Sequence, residues 1–292
     1  MTERIHIATG LDADSNRLAY TGGAPSAAAQ ARAARRWGWW HYAEYRLANM
    51  RAYGQTILIR SIGLPLLYLA SMGLGLGALV DAGSGGVDGV SYLIFVGPAL
   101  LVSSIVMEAS GEFTYPVMSG FKWQKHYFAA SASPLSPAQV VLGEIAAVGL
   151  RFVAESAVFW LMLLLFGEVT SPWSWLVVLI APVAAMAFGA PLMAFAATQT
   201  DEGAQFAFIQ RFVVMPMFLF AGTFFPLTAM PWYLQWIGWL SPMWHGTQLA
   251  RVVCYGMPNP WWLTVLHVVV LIAAIVAGTW FAVRIFNRRL TR

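Results

Sequence analysis

Six stretches of this chain stay apolar for about 20 residues each, at roughly 56–80, 91–110, 141–166, 174–198, 206–224 and 262–286. Each matches the ~20 residues that a helix needs to cross ~30 Å of hydrocarbon. The pattern therefore predicts six spanning helices within a membrane domain of residues 56–292. Pro65, Pro182 and Pro191 fall inside spans, which membrane helices tolerate when neighbours satisfy the freed carbonyls. Gly73 and Gly77 form a small-xxx-small pair suited to close helix packing. Ahead of the first span, residues 37–55 mix Trp37, Trp39, Trp40, Tyr42 and Tyr45 with Arg46 and Arg51, and Arg35 and Arg36 precede them. That mixture predicts an amphipathic helix lying in the headgroup plane. Residues 1–36 are polar and Ala/Arg-rich, without the apolar core of a cleavable signal peptide. They are expected to be disordered and cytoplasmic.

One segment departs from simple spanning. Phe218-Leu219-Phe220-Ala221-Gly222-Thr223-Phe224-Phe225-Pro226-Leu227 runs an apolar helix into glycine and proline. Met230-Pro231-Trp232 and Ser241-Pro242-Met243-Trp244-His245-Gly246 follow, with no charge until Arg251. Backbone groups freed at membrane depth must be buried in protein or face water, because lipid cannot satisfy them. The segment predicts a re-entrant helical hairpin on the external side, before the last span. Trp232, Trp236 and Trp239 share one helical face and read as interface anchors. The fold class expected is thus an all-α membrane protein.

Composition agrees. The 292 residues are 59% apolar and 10% charged, against ~25% charged in soluble domains. The net charge of +4 sits in arginine-rich flanks rather than a nucleic-acid-binding patch. Of 17 Lys and Arg, 15 fall on one side of the predicted spans, which puts both termini in the cytoplasm by the positive-inside rule. The single Cys254 excludes an intrachain disulfide, and the five histidines are too scattered for a metal site.

The candidate chemistry is sparse. The two lysines, Lys122 and Lys125, lie outside any Gly-x-x-x-x-Gly-Lys-Ser/Thr pattern, so no phosphate-cradling loop exists in this sequence. ATP hydrolysis, if it drives anything, belongs to a partner. Arg151 lies about ten residues into the third span, or ~15 Å deep, with Glu155 four residues on and on the same face. Intramembrane charges normally face a protein interior or a cavity. The pair therefore reads either as a pathway or gating contact or as a structural lock. Glu108 and Glu112, at the cytoplasmic end of the second span, are placed to face either a partner or the cavity. Between spans two and three, Lys122, Trp123, Lys125, His126 and Tyr127 precede Ser133-Pro134-Leu135-Ser136-Pro137, where Ser136 and Pro137 look like a helix start. His267 reads as a packed histidine. His245 and Arg251 are the polar groups of the external segment.

These features resemble the permease subunits of ABC type-2 exporters, and most of all the branch that exports nodulation factors, which are lipo-oligosaccharides. Four motifs carry the likeness, over about 37–290. They are Pro65 to Leu69 with Gly73 to Gly77, Glu112 to Tyr115 with Tyr127 to Pro137 and Gly143-Glu144-Ile145, Phe218 to Leu227 with Met230-Pro231, and Ser241 to Gly246 with Leu249-Ala250-Arg251. The resemblance implies a bacterial plasma-membrane permease that pairs with a second copy or a paralogue and binds two copies of an ABC ATPase carrying ATP and magnesium. It assigns ATPase coupling to Lys122, Lys125, Tyr127, Ser133, Pro134, Leu135, Ser136, Pro137 and Glu144. It assigns the substrate pathway or gate to Arg151, Glu155, Gly222, Thr223, Phe224, Phe225, Pro226, His245 and Arg251. This chain itself is expected to bind no cofactor, metal or nucleic acid, and to meet membrane lipid. A lipid-, glycolipid- or drug-like substrate would leave past 222–251. The alternatives are an ATPase-independent channel or secondary transporter, which needs ionisable residues along several spans, and a membrane enzyme, which needs a clustered acid/base or metal site.

Overall fold

A computed structural model describes residues 27–52, 54–200 and 203–291. The tail expected to be unstructured lies, for residues 1–26, outside them. Among the described residues the chain is helical, with no strand beyond a bridge between Val87 and Val90 at a tight turn. Helix α1 spans Ala27–Arg51, starting in the Ala-Arg tract, whose residues are among the strongest helix formers. α2 is Gly54–Ser71, and a π-helical segment, Met72–Gly77, leads into α3, Ala78–Ser84. α4, Tyr92–Glu112, contains Pro98. Two short helices follow, α5 (Tyr115–Lys122) and α6 (His126–Ser131). α7 is Pro137–Leu165 and α8 is Val177–Ala196, entered through a 3-10 turn at Ser174–Leu176. α9 (Ala204–Ile209) passes through a second π-helical segment, Gln210–Val214, into α10 (Met215–Phe220). α11 (Trp232–Leu240), α12 (Pro242–Tyr255) and α13 (Trp261–Leu290) complete the chain.

Five helical stretches are long and apolar enough to cross a membrane: Leu66–Gly83, Tyr92–Lys122, Pro137–Leu165, Ser174–Ala196 and Trp261–Leu290. Ala204–Phe220 is a shorter apolar helix, because Gly222 stops it.

α8 is the hub. It carries no ionisable residue, keeps both expected prolines and packs against α4, α7, α12 and α13. Small residues let these helices meet closely. A Cβ on Gly278 of α13 would lie 2.4 Å from the Pro191 nitrogen of α8. One on Gly246 of α12 would lie 2.5 Å from the Ala184 methyl. Arg289 of α13 donates to the carbonyl of Ala197 (2.7 Å), just past the end of α8, where orphan carbonyls need donors. α1 lies along α7 with Tyr42, Ala43, Arg46, Leu47 and Met50 turned inward, a face with helical spacing. A Cβ on Gly143 of α7 would strike the Trp39 carbonyl at 2.5 Å.

Candidate functional site

The break after α10 is closed by protein rather than left open. Gly222 sits at φ +79°, a left-handed conformation that side chains resist, and a Cβ there would crowd Trp244 at 3.1 Å. The carbonyls released by the break find donors from distant helices. Arg251 of α12 donates through Nη2 to the Gly222 carbonyl at 2.7 Å and the Thr223 carbonyl at 3.4 Å, and through Nε to the Phe95 carbonyl at 3.3 Å. Its guanidinium lies 3.7 Å from the Phe95 ring centroid, and the residue is 1% exposed. The Tyr92 hydroxyl donates to the Phe224 carbonyl at 3.1 Å, and Ser103 shares a hydrogen bond with Thr223 at 2.8 Å. Phe224 sits edge-on to Phe218, Phe225 is half-buried, and Pro226 starts a 3-10 turn over Leu227–Ala229. Arg251 thus faces backbone carbonyls, in the interior of the segment where the sequence left it as a polar group of the external surface.

His245 is likewise buried. Its Nδ1 lies 2.7 Å from Nδ1 of His267 on α13, and its Nε2 lies 3.1 Å from the Trp239 carbonyl at the corner of α11 and α12. The indole of Trp244 stands edge-on to both rings, with centroids 5.0 Å away.

At the other end of α4 and α7 a chain of ion pairs joins three helices. Arg46 of α1 donates through Nε to Glu144 of α7 at 2.7 Å and approaches Glu112 of α4 at 3.8 Å. Arg151 of α7 donates to Glu112 at 2.7 Å and pairs with Glu155 at 3.1 Å. The expected contact of Arg151 and Glu155 is present, and Glu112 and Arg46 extend it across helices. Arg46 was missed because its helix was expected to lie flat at the surface. The inward run of Tyr42, Ala43, Arg46 and Met50 was the available signal.

The loop from α5 to α7 covers this network. Ser136 caps α7 by accepting from the Gln139 amide (3.3 Å), Gln139 accepts from the Ser136 amide (2.9 Å), and Pro137 opens the first turn. Lys122 is half-buried, while Trp123, Lys125, Phe128, Ser133, Pro134 and Ser136 are exposed. Leu135 sits half-buried under Gly38 of α1. Tyr127 is fully buried, with ring centroids 4.8 Å from Phe121 and 4.9 Å from Phe286 of α13. Tyr127 and Glu144 therefore hold the loop from beneath, and contact with the surroundings falls to the residues above them. Burial, reinforced by Glu144, pushes the Tyr127 phenol well above its usual range. Burial, with Arg46 nearby, lowers the His126 imidazole to about 4, so it is neutral at physiological pH.

Near the start of α4, the Tyr92 amide donates to Asp81 at 2.8 Å, and Glu168 is buried with its Oε2 lacking a hydrogen-bond partner among the described residues. Burial, and then the charge of Asp81, raise Glu168 to about 7. Among the described residues no group of three His, Cys, Asp or Glu side chains is placed to hold a metal.

A sequence profile of the family described as "ABC-2 type transporter" matches residues 43–255. Among curated proteins, the chain is similar to "Nodulation protein J" of Rhizobium leguminosarum bv. viciae, with 29% identity over 232 residues, 78% of this chain and 85% of that one. "Nodulation protein J" of Neorhizobium galegae is 28% identical over 243 residues, covering 80% and 87% of the two chains. The protein of that name in Sinorhizobium fredii (strain NBRC 101917 / NGR234) is 26% identical over 257 residues, covering 86% and 94%.

Proposed function

The chain belongs to the ABC-2 type transporter family, and on that footing we propose that it is the permease subunit of an ATP-driven exporter in a bacterial plasma membrane. It moves an amphipathic lipid-, glycolipid- or drug-like substrate from the cytoplasm or inner leaflet to the outside. Both termini are cytoplasmic on this reading, which the arginine distribution supports. On this reading Ala204–Phe220, shorter than the five long apolar stretches, serves as the sixth span, and α11 with α12 forms a hairpin that enters from outside and serves as the outer gate. A second permease, identical or paralogous, completes the pathway, and two ABC ATPases bind ATP and magnesium beneath it.

The observation that carries this reading is the helix break at Gly222–Phe225, whose carbonyls are satisfied by Arg251 and Tyr92 from other helices. Irregular backbone of this kind belongs beside a pathway rather than against lipid. On the cytoplasmic side, exposed Trp123, Lys125 and Phe128, with half-buried Lys122, stand over the buried Tyr127, offering a partner an apolar surface edged with charge. Motion of that loop reaches α7 and α1 through Glu144 and Arg46, so that ATPase closure biases a two-state bundle.

Affinity purification of the full-length chain from its native membrane tests the proposal. An ABC ATPase co-purifies, and Lys122→Glu with Lys125→Glu lowers its yield at least tenfold while membrane insertion is unchanged. Uphill transport by the chain alone in sealed, nucleotide-free vesicles would replace the proposal with a secondary transporter.

A further inference from the structure

α12 and α13 pack against each other, and among the described residues they share one polar contact, between the imidazoles of His245 and His267. The two rings are 4% and 0% exposed. Their protonation states follow from the partners. The Trp239 carbonyl only accepts, so Nε2 of His245 carries the hydrogen that bridges the 3.1 Å to it. Nδ1 of a neutral His245 is then a bare acceptor. The hydrogen in the 2.7 Å contact must therefore come from Nδ1 of His267, whose own Nε2 is a bare nitrogen with no hydrogen-bond partner.

We infer that His267 is a positioning residue that holds the external hairpin against the last span through His245, making the pair a proton-sensitive latch. This deepens the exporter proposal, because the hairpin is an outer gate only on that reading. The pair works when both rings are neutral. An added proton has two places to go. On Nδ1 of His245 it destroys the acceptor and turns N–H against N–H. On Nε2 of His267 it leaves a buried charge without a counter-ion.

Among the described residues the neighbouring elements supply no counter-ion. α8 has no ionisable residue. α12 brings Arg251, which is like-charged and engaged with Gly222, and Tyr255. α11 brings Tyr233, and α4 has Tyr92 at its start, with Glu108 and Glu112 at its far end. Glu144, Arg151 and Glu155 of α7 are taken up in the ion-pair chain. His126 of α6 and Arg284, Arg288 and Arg289 of α13 lie toward the opposite end; Arg284 is 17 residues from His267, or ~25 Å along the helix. Acidification therefore loosens the contact.

Amide hydrogen exchange of the full-length chain in lipid nanodiscs tests this, from pH 5.5 to 8, corrected for intrinsic exchange rates and referenced to α8. In the wild type, protection over residues 232–255 falls at least tenfold toward pH 5.5. His267→Gln, whose amide donates to neutral His245 and can turn its oxygen to accept once His245 takes a proton, keeps the neutral-pH protection and loses the pH dependence. His267→Leu loses about tenfold at every pH. The double variant His245→Leu/His267→Leu recovers most of it, because no polar group is left unpaired. Unchanged α8 protection identifies a folded chain. Wild-type protection and pH profile in His267→Leu, or a wild-type pH response in His267→Gln, overturns the inference. Exchange needs neither nucleotide nor substrate. A moved profile without ATP-dependent export therefore sinks the exporter proposal alone, and export with an unmoved profile sinks the latch alone.

Discussion

The break after α10 and the ion-pair chain at the other end of α4 and α7 solve one problem in two ways. At the break, a single buried cation, Arg251, is held by carbonyls of Phe95, Gly222 and Thr223. In the chain, two arginines alternate with three carboxylates along Glu144, Arg46, Glu112, Arg151 and Glu155. The partners in the chain are side chains, so evolution or an experimenter can remove both members of a pair. The acceptors at the break are backbone, which no substitution deletes. A buried cation facing carbonyl dipoles is therefore a commitment of the fold, whereas a buried ion pair is exchangeable for packing.

The difference is tested by deletion and rescue. Arg251→Met strands several buried carbonyls, each costing ~1–3 kcal/mol, and should lower stability by roughly 3–6 kcal/mol in thermal unfolding of the detergent-solubilised full chain. No second side-chain substitution should restore it. Arg46→Met leaves the Glu144 carboxylate buried and unpaired, with an expected loss of about 3 kcal/mol, and Arg46→Met/Glu144→Leu should recover most of that. Equal rescue at both ends, or at neither, would erase the distinction.

The smallest effect concerns Glu168, a buried acid with no cation beside it among the described residues. Its carboxyl is raised to about 7, so the folded protein binds more protons than the unfolded chain across the interval from its ordinary value of 4.5 up to about 7. Stability therefore falls as pH rises through that interval, and Glu168→Gln should flatten the slope. An unaltered melting profile from pH 5 to 8 in Glu168→Gln would show that this group is not the source.

What was legible in the sequence followed from local spacing. Gly222 and Pro226 announced the break, four-residue spacing paired Arg151 with Glu155, and Ser136 with Pro137 marked the start of α7. Cross-helix partners were not legible. Glu112 and Arg151 are 39 residues apart, Arg46 and Glu144 are 98 apart, and only the packing of α1, α4 and α7 brings them together. Arg251 was opaque for another reason: its partners are carbonyls, which every residue possesses. His245 invited attention as part of a motif, while His267 gave no sign of being its partner until α12 and α13 were side by side.

The two π-helical segments leave a trace in burial. Leu69 and Gly77 both turn inward, as do Phe206 and Val214. In an α-helix, residues eight apart point ~80° away from each other, whereas those seven apart nearly coincide. A wide turn takes up the difference by absorbing one extra residue. Each of these helices thus carries one surplus link that lengthens the strand of chain without changing which side it shows to its neighbours, so excising a single residue from either segment should leave the inward stripe aligned.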